Sequence, residues 1–91
     1  MKVVIKKSTN PKKKFMARFD DKKTIHFGSA GMSDFTKNKD EKRKSLYIAR
    51  HKAREDWTNP KSAGALSRWI LWNKPTLKAS VEDYKKRFNL K

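Results

Sequence analysis

The chain has 91 residues and no cysteine, and its 25 Lys and Arg outnumber 9 Asp and Glu for a net charge of +16. That length carries one small domain, and the missing cysteines exclude disulfides and thiolate metal sites. The surplus cations oppose compaction and favour a polyanionic partner. Hydrophobic residues are 35% of the chain, and the aromatics include Trp57, Trp69 and Trp72. Disordered basic tails are aromatic-poor, so a modest core is expected.

Residues 2–7 read as a strand, and "STNPKKK" turns the chain at Asn10-Pro11. Over 15–19, Phe15, Ala17 and Phe19 alternate with Met16 and Arg18, the period of a half-buried strand. "DDKK" turns the chain again, and residues 24–27 set Ile25 and Phe27 against Thr24 and His26. Three short strands with short turns imply an antiparallel meander. Then the period changes. Asp40 caps a helix to about Trp57, whose stripe is Leu46, Ala49, Ala53 and Trp57. Asn59-Pro60 ends it. Ser62 caps a second helix through Asn73, with Leu66, Trp69, Ile70 and Trp72 covering more than one face, so burial on two sides is expected. After Pro75, Thr76 or Ser80 caps a third helix, on which Leu77, Val81, Tyr84 and Phe88 form the clearest amphipathic pattern in the chain. The expected fold is α+β: a three-stranded antiparallel meander (about 2–7, 15–19 and 24–27) and then three helices (about 40–57, 62–73 and 76–90), in one domain over 1–91.

The stretch "TIHFGSAGMSDFT" (24–36) joins the two halves. Gly28 and Gly31 frame a G-x-x-G, and backbone N–H groups in such a bend can hold a phosphate. No G-K-[ST] follows, and the spacing fits neither the Walker nor the dinucleotide pattern. A joint between sheet and helix is the expected role. His26 and His51, 25 positions apart, are too few ligands for zinc. His26 is expected on the outer face of a strand, and His51 on a helix surface or beside Tyr47. The acid pairs Asp20-Asp21, Asp40-Glu41, Glu55-Asp56 and Glu82-Asp83 fall at turns and helix ends, where capping accounts for them. A nuclease would need carboxylates converging on a cation. The expectation is a non-enzymatic protein with no cofactor and no metal, and a metal-dependent nuclease is the remote alternative.

The basic residues carry the functional signal. Arg43, Tyr47, Arg50 and Arg54 recur at four, three and four residues and form one face of the first long helix, able to neutralise phosphates and to stack on a sugar or base. The bland reading of one such face is solvated arginines whose stems cover the core. Three further clusters strengthen the argument: Lys12-Lys13-Lys14, Lys22-Lys23 and Lys85-Lys86-Arg87. The first two occupy the strand turns, at the rim of the sheet. Together the four clusters form a phosphate-binding face if the fold brings them to one side. Arg18 and Lys23 are the strand residues to test for base reading, since a three-stranded sheet with a following helix serves some major-groove readers, a fold analogy only. Engaging roughly six to ten phosphates makes duplex affinity fall as salt to about the minus fifth to ninth power. The expected partner is nucleic acid, double-stranded DNA with weak sequence preference, or else acidic coat proteins or membrane surfaces met by a minor capsid protein.

"TIHFGSAGMSDFT", "KDEKRKSLYIARHKAREDW" and "GALSRWILWNKPTL", in this order, resemble a family of small basic proteins of unknown activity encoded by nucleocytoplasmic large DNA viruses. The resemblance spans about residues 23–77. It implies a viral origin and a virion component, and it supplies no catalytic residues. The longest apolar run, Trp69 to Trp72, is far too short to span a bilayer, and "MKVVIKKSTNPKKK" lacks the apolar core of a secretory signal. The expected location is the host cytoplasm or nucleus during infection, and the virion.

Overall fold

A computed structural model describes residues 1–91. Three strands, β1 (Val3–Lys7), β2 (Lys13–Phe19) and β3 (Thr24–Ser29), form an antiparallel sheet in the order β1-β2-β3. Helices follow: α1 (Phe35–Asn38), α2 (Glu41–His51), α3 (Ala63–Leu66) and α4 (Leu77–Arg87), with a π-helical turn at Ser67–Leu71 continuing α3. The α+β meander expected from the period-two pattern is present, and its register pairs Phe15 with Phe27 and Ala17 with both Ile5 and Ile25. Odd-numbered β2 residues therefore share one face. Ala17 and Phe19 are buried there with Val3 and Phe27, against Leu66, Ile70, Leu71 and Tyr84 from the helical half.

The opposite face of the sheet is also covered in part. Lys14 and Met16 share it by parity. The Lys14 ammonium lies 2.5 Å from the Asp34 carboxylate, with both side chains buried. Asp34 also accepts from the Thr36 N–H, which makes it the N-cap of α1. This bond brings the start of α1 to the sheet, and Met16 on the same face is buried, although alternation placed it outside. The short helix α1 was not expected, although Asp34 is a standard cap residue. Its last carbonyls are closed by Lys39 in the left-handed region at φ 52°.

Gly28 and Gly31 have φ of 78° and 84°. At Gly28 a Cβ would stand 2.7 Å from Leu71 Cδ1, so this position needs both the dihedral and the missing side chain. The joint is thus also a point of close packing between β3 and the π-helical turn. Ser62 caps α3 by accepting from the Ala65 N–H, and Thr76, not Ser80, caps α4 by accepting from the Ala79 N–H. Ser80 is buried instead, where its hydroxyl accepts from the Lys74 N–H.

The first long helix is shorter than expected. It ends at His51, not near Trp57, and none of its residues is buried. Of the anticipated stripe, Leu46 is 51% exposed, Ala49 and Ala53 are exposed, and Trp57 lies beyond the helix. Side-chain bonds beyond His51 account for the break: Glu55 accepts from Trp57 Nε1, and Asp56 accepts from the Thr58 N–H, holding the chain in local turns.

Candidate nucleic-acid interface

A cleft of about 450 Å³ lies between α2, the β3 end of the sheet and the helices behind it. Its cations without a carboxylate partner are Lys13 from β2 and Arg43 and Arg50 from α2. Asp40 positions the two arginines by capping α2, accepting from the Lys42 and Arg43 N–H groups. Because 43 and 50 are seven apart, both side chains leave the same side of the helix. Lys13 pairs with Ser29 across the sheet, at the end nearest the glycine joint.

An aromatic stack holds α2 in place. Tyr47 lies 4.6 Å from Trp72 with the rings 7° apart, and 4.3 Å from His51 with the rings 26° apart. Two rings parallel to one tyrosine at those distances need opposite faces of it. Burial, with Glu55 nearby, pushes the Tyr47 hydroxyl up to about 12. Two carboxylates also line the cleft, and both are engaged: Asp34 by Lys14, and Glu55 by His51 Nδ1 at 3.4 Å and by Trp57 Nε1. Facing solvent at the rim are two apolar side chains, Met32 (62% exposed) and Leu46 (51%).

The expected basic residues are distributed unevenly over the molecule. Lys13, Arg43 and Arg50 meet at the cleft, and Lys12 is exposed in the adjoining turn. Lys14 lines the cleft too, but its charge is buried and neutralised by Asp34, so it is a structural lysine. Tyr47 has both faces covered and cannot stack on a base. Arg54 falls outside α2, in an exposed turn where its N–H donates to His51 O, so it does not continue the arginine face. Arg18 is exposed on the second face of the sheet. Lys22, at φ 72°, and Lys23 sit in the β2–β3 turn. That turn is at the opposite end of the sheet from Lys12–Lys14, about 20 Å away along seven-residue β2.

Lys85, Lys86 and Arg87 form the last turn of α4. The chain then reaches β1, where Lys91 donates to Met1 O and accepts from the Val3 N–H, at the Phe19 end of the sheet. Arg87 is partly engaged: its guanidinium lies 3.8 Å over the Trp69 ring and 3.4 Å from Asp83. Arg68 covers the same ring at 4.2 Å. Burial, then the neighbouring Arg87, lowers the Arg68 guanidinium from its ordinary value, and its buried Nε has no partner. The four clusters thus do not converge. One group borders the cleft, and the other lies at the far end of the sheet.

Sequence reasoning missed Met32, Leu46 and Trp72 as parts of the site. Leu46 looked like core because a helical stripe normally faces inward, and Met32 carried no periodic signal at all. Asp20 and Asp21 do more than close a local turn: Asp20 accepts from the Lys2 N–H, and Asp21 from the Lys23 N–H and from the ammonium of Lys61, distant in sequence. His26 is half-buried and bonded to the Ser8 hydroxyl at 2.7 Å. No group of three His, Asp or Glu side chains is placed to hold a metal ion. No helix is long and apolar enough to cross a membrane.

One family model matches residues 3–51, more than half of the chain. The chain belongs to DUF5754, a family of unknown function. The DUF5754 segment supplies the sheet, α1 and α2, and with them Lys13, Arg43 and Arg50. The helices that complete the core, and Trp72, lie outside it. No curated protein and no solved structure matches the chain.

Proposed function

We propose that the protein binds nucleic acid without cleaving it, by neutralising backbone phosphates. One observation carries this reading: of 25 Lys and Arg side chains, only Lys14, Lys61 and Arg87 pair with a carboxylate. The remaining cations are held on a folded body and leave a positive field that a polyanion can satisfy. Lys13, Arg43 and Arg50 are the primary phosphate contacts. Lys22, Lys23, Lys85 and Lys86 form a second patch that a longer strand reaches. The resemblance to proteins of large DNA viruses supports viral nucleic acid as the polyanion, with packaging within the particle as the role.

A minor capsid protein ranks second. Large exposed Trp or Phe surface would favour that reading, and no Trp or Phe is exposed. The test is fluorescence anisotropy of labelled DNA from about 20 mM to 200 mM salt. Binding is expected to weaken steeply, and changing Arg43 and Arg50 to Gln is expected to reduce the log–log salt slope by about one for each lost phosphate contact. Absence of binding at the lowest salt, or binding indifferent to salt, overturns the reading.

A further inference from the structure

We propose that the cleft seats one unpaired nucleotide, so that the protein's preferred ligand is single-stranded nucleic acid; this rests on the nucleic-acid reading above and specifies it. A duplex tracked by its phosphates needs only a cationic surface. Here a concavity of about 450 Å³ is present, within the size range of pockets that enclose small ligands. Its chemistry is divided. Arg43 and Arg50 stand two helical turns apart, about 10 Å along the axis, far enough to hold phosphates on either side of one nucleoside. Lys13 adds a third cation from the sheet. Against these lie Met32 and Leu46, apolar and more than half exposed. A ligand with both a flat apolar body and phosphate charge satisfies both parts. A nucleotide does, with its base against the Met32 thioether and Leu46. The tyrosine in the site is no substitute platform, because Trp72 and His51 already cover it. Of the two carboxylates of the cleft, Lys14 neutralises Asp34, and Glu55, bonded to His51 and to Trp57 Nε1, is outnumbered by Lys13, Arg43 and Arg50.

The experiment compares a labelled 12-nucleotide single strand with the duplex of the same sequence. Each is bound to the full chain and to a Met32→Ser/Leu46→Ser variant, with folding checked by circular dichroism and urea unfolding. Both positions are exposed, so the fold is expected to persist. The wild-type chain is expected to bind the single strand more tightly. The variant is expected to lose about tenfold on the single strand, the order of one lost base contact, and nothing on the duplex. Abasic sites throughout the single strand are expected to cause a loss of similar size. If the duplex binds as well or better, or the variant weakens both ligands alike or neither, the nucleotide seat is overturned while phosphate neutralisation stands. If neither ligand binds, the underlying reading has failed and the seat with it.

Discussion

Two helices of this protein, α2 and α4, are each eleven residues long, each capped by an oxygen side chain, and each rich in lysine. They have opposite fates. On α4, Tyr84 and Ser80 are buried, Leu77, Val81 and Phe88 pack on the core, and the Tyr84 hydroxyl donates to Pro60 O at 2.6 Å. On α2 nothing is buried, and the Tyr47 stack on Trp72 is its main aromatic anchor. The contrast shows that an amphipathic pattern says which side of a helix is apolar but not what meets it. The apolar side of α4 meets the π-helical turn and the core, whereas that of α2 faces a cleft.

The comparison can be broken at its strongest point first. Tyr84→Ala removes the largest fully buried side chain and leaves Pro60 O without its donor. A loss of about 3–5 kcal/mol is expected in urea unfolding. A loss near zero would mean that α4 is not part of the core. Tyr47→Ala is the matching change on α2. It removes two ring contacts, each worth about 0.5–1.5 kcal/mol, and a smaller global loss of about 1–2 kcal/mol is expected. Its signature is graded: amide exchange in 41–51 accelerates more than that in 77–87. Uniform acceleration would show that α2 is as integral as α4.

The gentlest probe is alkaline titration, because the chain has only two tyrosines. Burial raises both hydroxyls above their ordinary 10.0, Tyr47 to about 12 and Tyr84 further. Folding thus disfavours tyrosinate. The stabilisation is fully present below pH 10 and is lost as pH rises towards and through 12, since the unfolded chain ionises first. Tyrosinate absorbance is expected to stay flat through pH 10 and to rise only as pH approaches 12. A reversible rise at pH 10 in the folded protein would contradict the burial of both rings. Tyr47→Phe and Tyr84→Phe assign the steps.

Much of this architecture was legible because it is local. Alternation in "FMARF" and "TIHF" announces the strands, and Asp40, Ser62 and Thr76 announce three helix starts by chemistry that acts within three residues. The rest depends on partners distant in sequence. Lys14 reads as a surface cation until Asp34, twenty positions on, buries it. The end of α2 was missed because residues 52–57 retain helical spacing while the carboxylates of Glu55 and Asp56 bond to the chain just ahead of them. The candidate site was half visible. Arg43 and Arg50 follow from spacing, but an outward-facing leucine and an isolated methionine become informative only when a cavity lies between them. Whether the basic clusters share one side was open in the sequence, and they do not for a geometric reason: successive turns of a meander fall at alternate ends of the sheet.

The widened turn at Ser67–Leu71 reaches far beyond its five residues. Each residue of an ordinary helix advances the side chains by about 100°, so the single residue that a π turn accommodates resets the azimuth of everything after it. Here that offset lets Leu66, Ile70 and Leu71 all point into the interior and then delivers Trp72 sideways onto Tyr47. The orientation of α2, and with it the mouth of the cleft, is therefore set by a one-residue indexing step in a segment that lies outside the helix it aims.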